Sequence, residues 1–181
     1  MKLAEQVRRQ LRWCCATTTA LVLLGGCTGA SPDAKPTPKA KGKVTTPAPS
    51  EAESAEALTT YRAMWHDLTM ASHTSNPESS ELGDHATGGA LELMKYGLRK
   101  ARRGKIVSKG EPLPSPKVIR ATDQEVELRD CVDGRNWLEY KLNGELKNSV
   151  PGSHFRADAT VRHQRGIWKV SYLYMHGSGS C

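Results

Sequence analysis

Residues 31–50 read SPDAKPTPKAKGKVTTPAPS, and this stretch limits what the rest of the chain can fold into. Five prolines, Pro32, Pro36, Pro38, Pro47 and Pro49, fix φ and remove backbone donors. There is no aromatic residue, and Val44 is the one β-branched aliphatic. Such a segment buries too little apolar surface to offset the entropy of ordering it. Residues 27–50 are therefore predicted to be a disordered tether. At about 3.1 Å per residue, the proline-rich part, residues 31–50, would reach on the order of 60 Å when stretched. Folding is confined to residues 51–181, roughly 130 residues and enough for one core.

The chain ahead of the tether reads as an export signal. Lys2, Arg8, Arg9 and Arg12 oppose Glu5, and a short apolar run, Ala16 to Leu24, follows. That run is shorter than the roughly 20 apolar residues a membrane-spanning helix needs. It closes in Val22-Leu23-Leu24-Gly25-Gly26-Cys27, a bacterial lipobox in pattern. Residues 1–26 are thus predicted to be a lipoprotein signal peptide, with Cys27 the fatty-acylated residue. The protein would then hang from the outer face of the cytoplasmic membrane. Arg8-Arg9 leaves open whether export runs through the general or the twin-arginine route.

This partition explains the net charge of +7. Residues 1–27 hold four basic side chains and one acidic, residues 28–50 again four and one, and residues 51–181 hold 18 and 17. The folded part is nearly neutral, which argues against nucleic acid as a partner. The tether lysines, Lys35, Lys39, Lys41 and Lys43, could lie on anionic headgroups or simply keep the linker solvated. The cysteines sort the same way. Cys14 and Cys15 leave with the signal, Cys27 takes lipid, and Cys131 and Cys181 remain. In an exported protein these two are expected to form a disulfide; two free buried thiols are the alternative.

Within residues 51–181, Leu58, Tyr61, Trp65, Leu68 and Ala71 or Ser72 recur at helical spacing, predicting a helix from Glu51 to His73. Asn76-Pro77 signals a second helix stopping near Gly83. Thr87 is placed to cap a third, Gly88 to Arg103, whose buried side is Leu91, Met94, Leu98 and Ala101 and which ends at Gly104. Extended segments follow: 105–113, 117–122, 125–132, 137–142, 154–163 and 167–175. In the third, Val126, Leu128 and Val132 share a face that Asp130 interrupts. Phe155, Ala157, Ala159 and Val161 alternate with Arg156, Asp158, Thr160 and Arg162, a half-buried strand that turns at Gln164-Arg165-Gly166. Residues 177–181 read as a flexible tail. Helices first and antiparallel strands afterwards define a single-domain α+β fold.

Several local runs fit a known pattern: Tyr61 to Trp65, Ala86-Thr87-Gly88-Gly89-Ala90-Leu91, Arg129-Asp130-Cys131-Val132-Asp133, Gly166-Ile167-Trp168-Lys169-Val170 and the terminal Cys181. Residues 51–181 resemble the exported, lipid-anchored proteins of high-GC Gram-positive bacteria that carry a nuclear-transport-factor-2-like (cystatin-like) domain. The resemblance implies N-terminal helices packed on a curved antiparallel sheet, a cone with a pocket at its wide end. Enzymes of that fold, ketosteroid isomerases and scytalone dehydratases among them, place a carboxyl or imidazole in an apolar pocket, where a shifted pKa suits proton transfer.

For such chemistry this chain offers few candidates. Asp158 alternates out of phase with its apolar neighbours, and His66 and Asp67 are adjacent on a helix and cannot face one another. Tyr61, Trp65, Tyr96, Trp137, Trp168 and Tyr172, with Tyr174, are candidate pocket lining or ordinary core. Six histidines, His66, His73, His85, His154, His163 and His176, show no close metal-ligand spacing, so no metal or other cofactor is expected. Gly177-Ser178-Gly179 lacks the strand-turn-helix context of a serine nucleophile. Lys95, Arg99, Lys100, Arg102, Arg103, Lys105 and Lys109 form the one basic cluster, either a contact for acidic envelope polymers, headgroups or an acidic partner, or a solvated face suited to a helix C-terminus. The sequence therefore predicts a lipid-anchored extracytoplasmic accessory protein that binds an envelope partner or a small apolar ligand without catalysis. The alternatives are a pocket enzyme of the isomerase or dehydratase type and a basic-patch module contacting anionic envelope polymers.

Overall fold

A computed structural model describes residues 51–148 and 152–181. The expectations for the signal peptide, for Cys27 and for the tether fall on residues 1–50, outside the described residues. Three helices, α1 (Glu51–Ser72), α2 (Leu82–His85) and α3 (Gly88–Arg103), precede six strands. These are β1 (Ile106–Lys109), β2 (Lys117–Ala121), β3 (Glu125–Asp133), β4 (Leu138–Lys141), β5 (His154–Gln164) and β6 (Ile167–Met175).

Helix α1 is the spine of the core. Ala57, Tyr61, Met64, Trp65, Leu68 and Ala71 are buried, at the three- and four-residue spacing that keeps them on one side. Two hydroxyls on its buried side bond back to the helix, Thr69 Oγ1 to the Trp65 carbonyl at 2.8 Å and Ser72 Oγ to the Thr69 carbonyl at 2.7 Å. They are buried without loss of hydrogen bonding. The chain then leaves through Ser75, at φ 48, whose hydroxyl donates to the Ile106 carbonyl at 2.6 Å.

The second helix is not where Asn76-Pro77 points. Asn76 Oδ1 accepts the Glu78 N–H at 3.2 Å in a turn, and α2 begins at Leu82, almost where a helix from Asn76 was expected to end. Glu78-Ser79-Ser80-Glu81 has no apolar stripe to bury, whereas Leu82 is fully buried and anchors the turn that forms. Helix α3 spans the expected residues, but its buried stripe is Ala90, Met94 and Leu98, with Leu91 and Ala101 only half-buried. Thr87 stands before it without a side-chain cap; its N–H donates instead to the Val170 carbonyl of β6 at 2.8 Å. At the other end Gly104 stays right-handed, and Lys105 takes the left-handed step at φ 54.

Strands pair antiparallel in the order β2-β3-β5-β6. Val126, Leu128, Asp130 and Val132 of β3 and Ala157, Ala159 and Val161 of β5 form the buried face; α1 packs against β5 and β6, and α3 against β6. Register shifts at Val118/Arg120 and at Thr160/Val161 introduce the local bends that curve a sheet. Arg165 and Gly166, at φ 55 and 79, make the two-residue β5–β6 turn, a geometry that needs positive φ at both positions. Strand β4 stays out of this sheet and pairs with β1 in a separate two-stranded ribbon, Ile106 opposite Lys141 and Lys109 opposite Leu138.

The tail expected to be flexible is tied down. The N–H groups of His176 and Gly179 donate to the carbonyls of Arg156 and His154, and the Arg156 N–H donates to Ser180 Oγ at 2.8 Å. These bonds carry Cys181 to β3, where it is disulfide-bonded to Cys131 with Cα atoms 6.0 Å apart.

Candidate functional site

The interior between α1 and the sheet is filled by rings. Trp65, 1 % exposed, packs edge-on against Tyr61 at 6.2 Å and Trp137 at 6.1 Å, and tilted against Phe155 at 6.0 Å. Trp137 Nε1 donates to Ser72 Oγ at 3.3 Å, fixing that ring at the end of α1. A cavity of about 140 Å³ remains at this end, lined by Leu68, Met94, Leu98, Trp137 and Met175 among others. On the other side of α1 a groove of about 240 Å³ runs between Arg62, His66 and Thr69 and the segment Glu111 to Pro114.

Asp130 is the carboxylate built into this interior. It projects from the inner face of β3 and is 2 % exposed. Its Oδ1 accepts the Ser115 N–H at 2.8 Å, while Oδ2 has no hydrogen-bond partner among the described residues. The Tyr61 hydroxyl and Trp65 Nε1 are likewise buried without one. None of the three reaches hydrogen-bond geometry, yet the Tyr61 hydroxyl is near enough to Trp65 and Asp130 for both to act on its ionisation. Burial raises the Asp130 carboxyl above the ordinary aspartate range, against the pull of the Ser115 N–H, Tyr61 and the Arg62 charge. Burial and then the Asp130 charge push the Tyr61 phenol far up. A carboxyl so placed holds a proton more readily than one in water. The residues that line the 140 Å³ cavity and the 240 Å³ groove do not include Asp130.

Of the aromatic residues singled out from the sequence, Tyr61, Trp65 and Trp137 share this interior. Trp168 is 6 % exposed and lies elsewhere, stacked on His163 at 5.0 Å. Tyr96 and Tyr172 are corrections: they are 55 % and 51 % exposed and line no interior. Tyr96 is carried to the solvent side of α3 by the Ala90-Met94-Leu98 stripe, and Tyr172 follows a shift in strand register that puts it on the outer face of the sheet. Tyr174, 52 % exposed, packs edge-on against His176 there.

Two features escaped the sequence reading. In the sequence Asp130 stands out only as a break in an apolar face, and the available signal is a charged residue type at a buried register position. The second is a pair: Asp67, 7 % exposed, holds His85 Nδ1 of α2 at 2.7 Å through Oδ2. His85 lines a shallow cleft of about 460 Å³ with Glu56, Thr59, Thr60 and Trp168. Asp67 and His85 are 18 residues apart, and no local spacing signals their meeting. The basic residues run from α3 through Lys105 to Lys109 at the end of β1; all are exposed except Lys95 and Arg99, which are half-buried. Among the described residues no cluster of histidine, cysteine, aspartate and glutamate could hold a metal ion.

No protein-family model matches the chain, and no curated protein matches it. Among solved structures, the intermembrane space region of the chloroplast protein ARC6 is similar at 13% identity and TM-score 0.52, covering 72% of this chain and 99% of that one. Aln2 from a Streptomyces species has 13% identity, TM-score 0.47 and coverage of 72% and 93%. Hexachlorocyclohexane dehydrochlorinase LinA-type3 from Novosphingobium barchaimii has 14% identity, TM-score 0.42 and coverage of 70% and 90%. At such identities the likeness is one of fold alone. The fold is the α+β, nuclear-transport-factor-2-like cone, helices on a curved antiparallel sheet.

Proposed function

We propose that this chain is a lipid-anchored, extracytoplasmic accessory protein whose cone domain binds an envelope partner or a small apolar ligand without catalysing a reaction. The observation that supports the non-catalytic part is the packing around Asp130. Tyr61, Met64 and Val132 are fully buried, Trp65 is 1 % exposed, and Asp130 itself is 2 % exposed. A general acid or base must come within hydrogen-bond reach of the proton it moves, and this carboxyl sits behind side chains that are themselves buried. The 140 Å³ cavity at Trp137 is smaller than the roughly 300–1,000 Å³ typical of small-molecule sites, and the cleft at His85 that reaches that size is shallow, which favours a protein partner or a single short apolar group.

The anchor rests on the Leu24-Gly25-Gly26-Cys27 motif. Cys27→Ser should abolish fatty-acid labelling and release the protein from the membrane; unchanged labelling overturns the anchor. A second reading, a pocket enzyme of the isomerase or dehydratase type, draws on the raised Asp130 carboxyl beside Tyr61. A turnover that Asp130→Asn abolishes while leaving the fold intact would replace the binding reading with that one.

A further inference from the structure

The corner where α3 runs into the β1–β4 ribbon combines two surface features. The first is charge. Lys95, Arg99, Lys100, Arg102 and Arg103 lie on α3, and Lys105 follows after Gly104. The helix carries one carboxylate, Glu92, which approaches only Arg99, at 3.9 Å. Lys100, Arg102, Arg103 and Lys105 have no ion-pair partner among the described residues. Such a density of cations is self-repelling and is favoured by an anionic surface opposite it.

The second feature is an apolar tip. Beyond β4 the chain turns at Gly144, φ 89, and folds back so that Leu146 bridges to Tyr140. Leu142 and Leu146 are left 68 % and 47 % exposed. The carboxylates nearby are neutralised: Glu145 by Lys141 at 3.2 Å and Glu139 by Lys147 at 2.6 Å. Because Ile106 pairs with Lys141, the next residues outward are Lys105 on one strand and Leu142 on the other. The leucine tip therefore stands beside the basic end of α3.

We propose that this corner is a membrane-docking face, seating on an anionic phospholipid bilayer with Arg102, Arg103 and Lys105 toward headgroup phosphates and Leu142 and Leu146 in the interfacial layer. Charge alone would suit a soluble polyanion equally well. The leucines decide for the bilayer, since an apolar tip gains nothing from a hydrated polymer and gains burial at an acyl boundary. Each basic residue near an anionic bilayer contributes about a fivefold factor in binding. The surface stands on its own residues; only the ready presence of a bilayer rests on the lipid-anchor reading.

The test uses the full chain on vesicles of phosphatidylcholine, with and without phosphatidylglycerol, and follows hydrogen exchange through residues 141–148. Docking predicts slowed exchange on the phosphatidylglycerol vesicles only, reversed by high salt. Arg102→Glu with Arg103→Glu should abolish the slowing, Arg102→Lys with Arg103→Lys should preserve it, and Leu142→Ser with Leu146→Ser should weaken it. All these side chains are exposed, so the thermal midpoint should stay the same in the lysine and serine variants and fall only slightly in the glutamate pair, which opposes the dipole of α3. Equal exchange on both vesicles overturns the proposal. So does slowing by a soluble polyanion as strong as by the vesicles, or loss of slowing only when the tether lysines are neutralised. Fatty-acid labelling at Cys27 is scored separately, so failure of the anchor is distinguishable from failure of this face.

Discussion

Asp130 and Asp158 sit one register step apart on neighbouring strands and face opposite ways. Arg129 pairs with Asp158 across β3 and β5, and Asp130 with Ala157. Asp130 points into the ring-filled interior, where burial raises its carboxyl. Asp158 points outward. Its own burial would raise it too, but hydrogen bonds from His176 and Arg129 and the charges of Arg156 and Arg129 outweigh that and leave it lowered. One strand pair thus holds two aspartates whose ionisation is driven in opposite directions. The difference comes from the pleat, which sends successive side chains to opposite faces.

The same contrast ranks the consequences of mutation. The interior should respond most. Trp65→Ala removes the ring that touches Tyr61, Trp137 and Phe155 and should cost up to about 5 kcal/mol in denaturant unfolding. A loss under about 1 kcal/mol would mean the interior is far looser than these contacts imply. Replacing Cys131 and Cys181 by serine should cost about 4 kcal/mol, the chain-entropy value for the 50-residue separation. Matched unfolding curves with and without reductant check it.

The two aspartates should then part in their pH dependence. With its folded pKa raised, Asp130 contributes stability that is fully present below the unfolded aspartate value, near about 3.9, and lost as pH rises through the folded value. Asp130→Asn should therefore gain on the parent protein as pH rises through that window. Asp158, with its folded pKa depressed, contributes stability present above the unfolded value and lost as pH falls through the folded one. Asp158→Asn should lose most at neutral pH and converge with the parent in acid. Thermal midpoints across pH separate the two, and parallel profiles would erase the distinction.

Smaller effects complete the series. Tyr61→Phe removes a buried hydroxyl that makes no hydrogen bond and should lie within about 1 kcal/mol of the parent, on the stabilising side if on either. Arg129→Ala breaks a solvent-exposed pair with Asp158 at 3.1 Å and should cost at most about 1 kcal/mol. A large loss there would show that the outer ion-pair lattice acts as a unit.

The parts of the fold legible in the sequence are those where a local period and a boundary signal agree. Helix α1 has a three-and-four repeat of large apolar residues, α3 runs between Thr87 and Gly104, and β5 alternates up to the turn at Arg165-Gly166. The interior site was legible only in part. Tyr61 and Trp65 follow from the α1 period, but Tyr96 and Tyr172 were grouped with them on residue type, and type does not say which way a side chain points. The Asp67–His85 pair and the separation of β4 from the main sheet depend on contacts between distant segments, which no local window contains.

By itself, the sequence determined the α+β order of elements, the core side of α1 and of β5, and which two cysteines were left to pair once residues 1–27 were set aside. Tertiary structure alone decided that Asp130 would be sealed among rings, that Tyr96 would face solvent, and that the leucine tip of the ribbon would stand beside the basic end of α3. The physical reason is common to all three. Periodicity tells a residue which face of its own element it occupies, but the environment of that face is made by other elements, brought together only when the chain closes on itself.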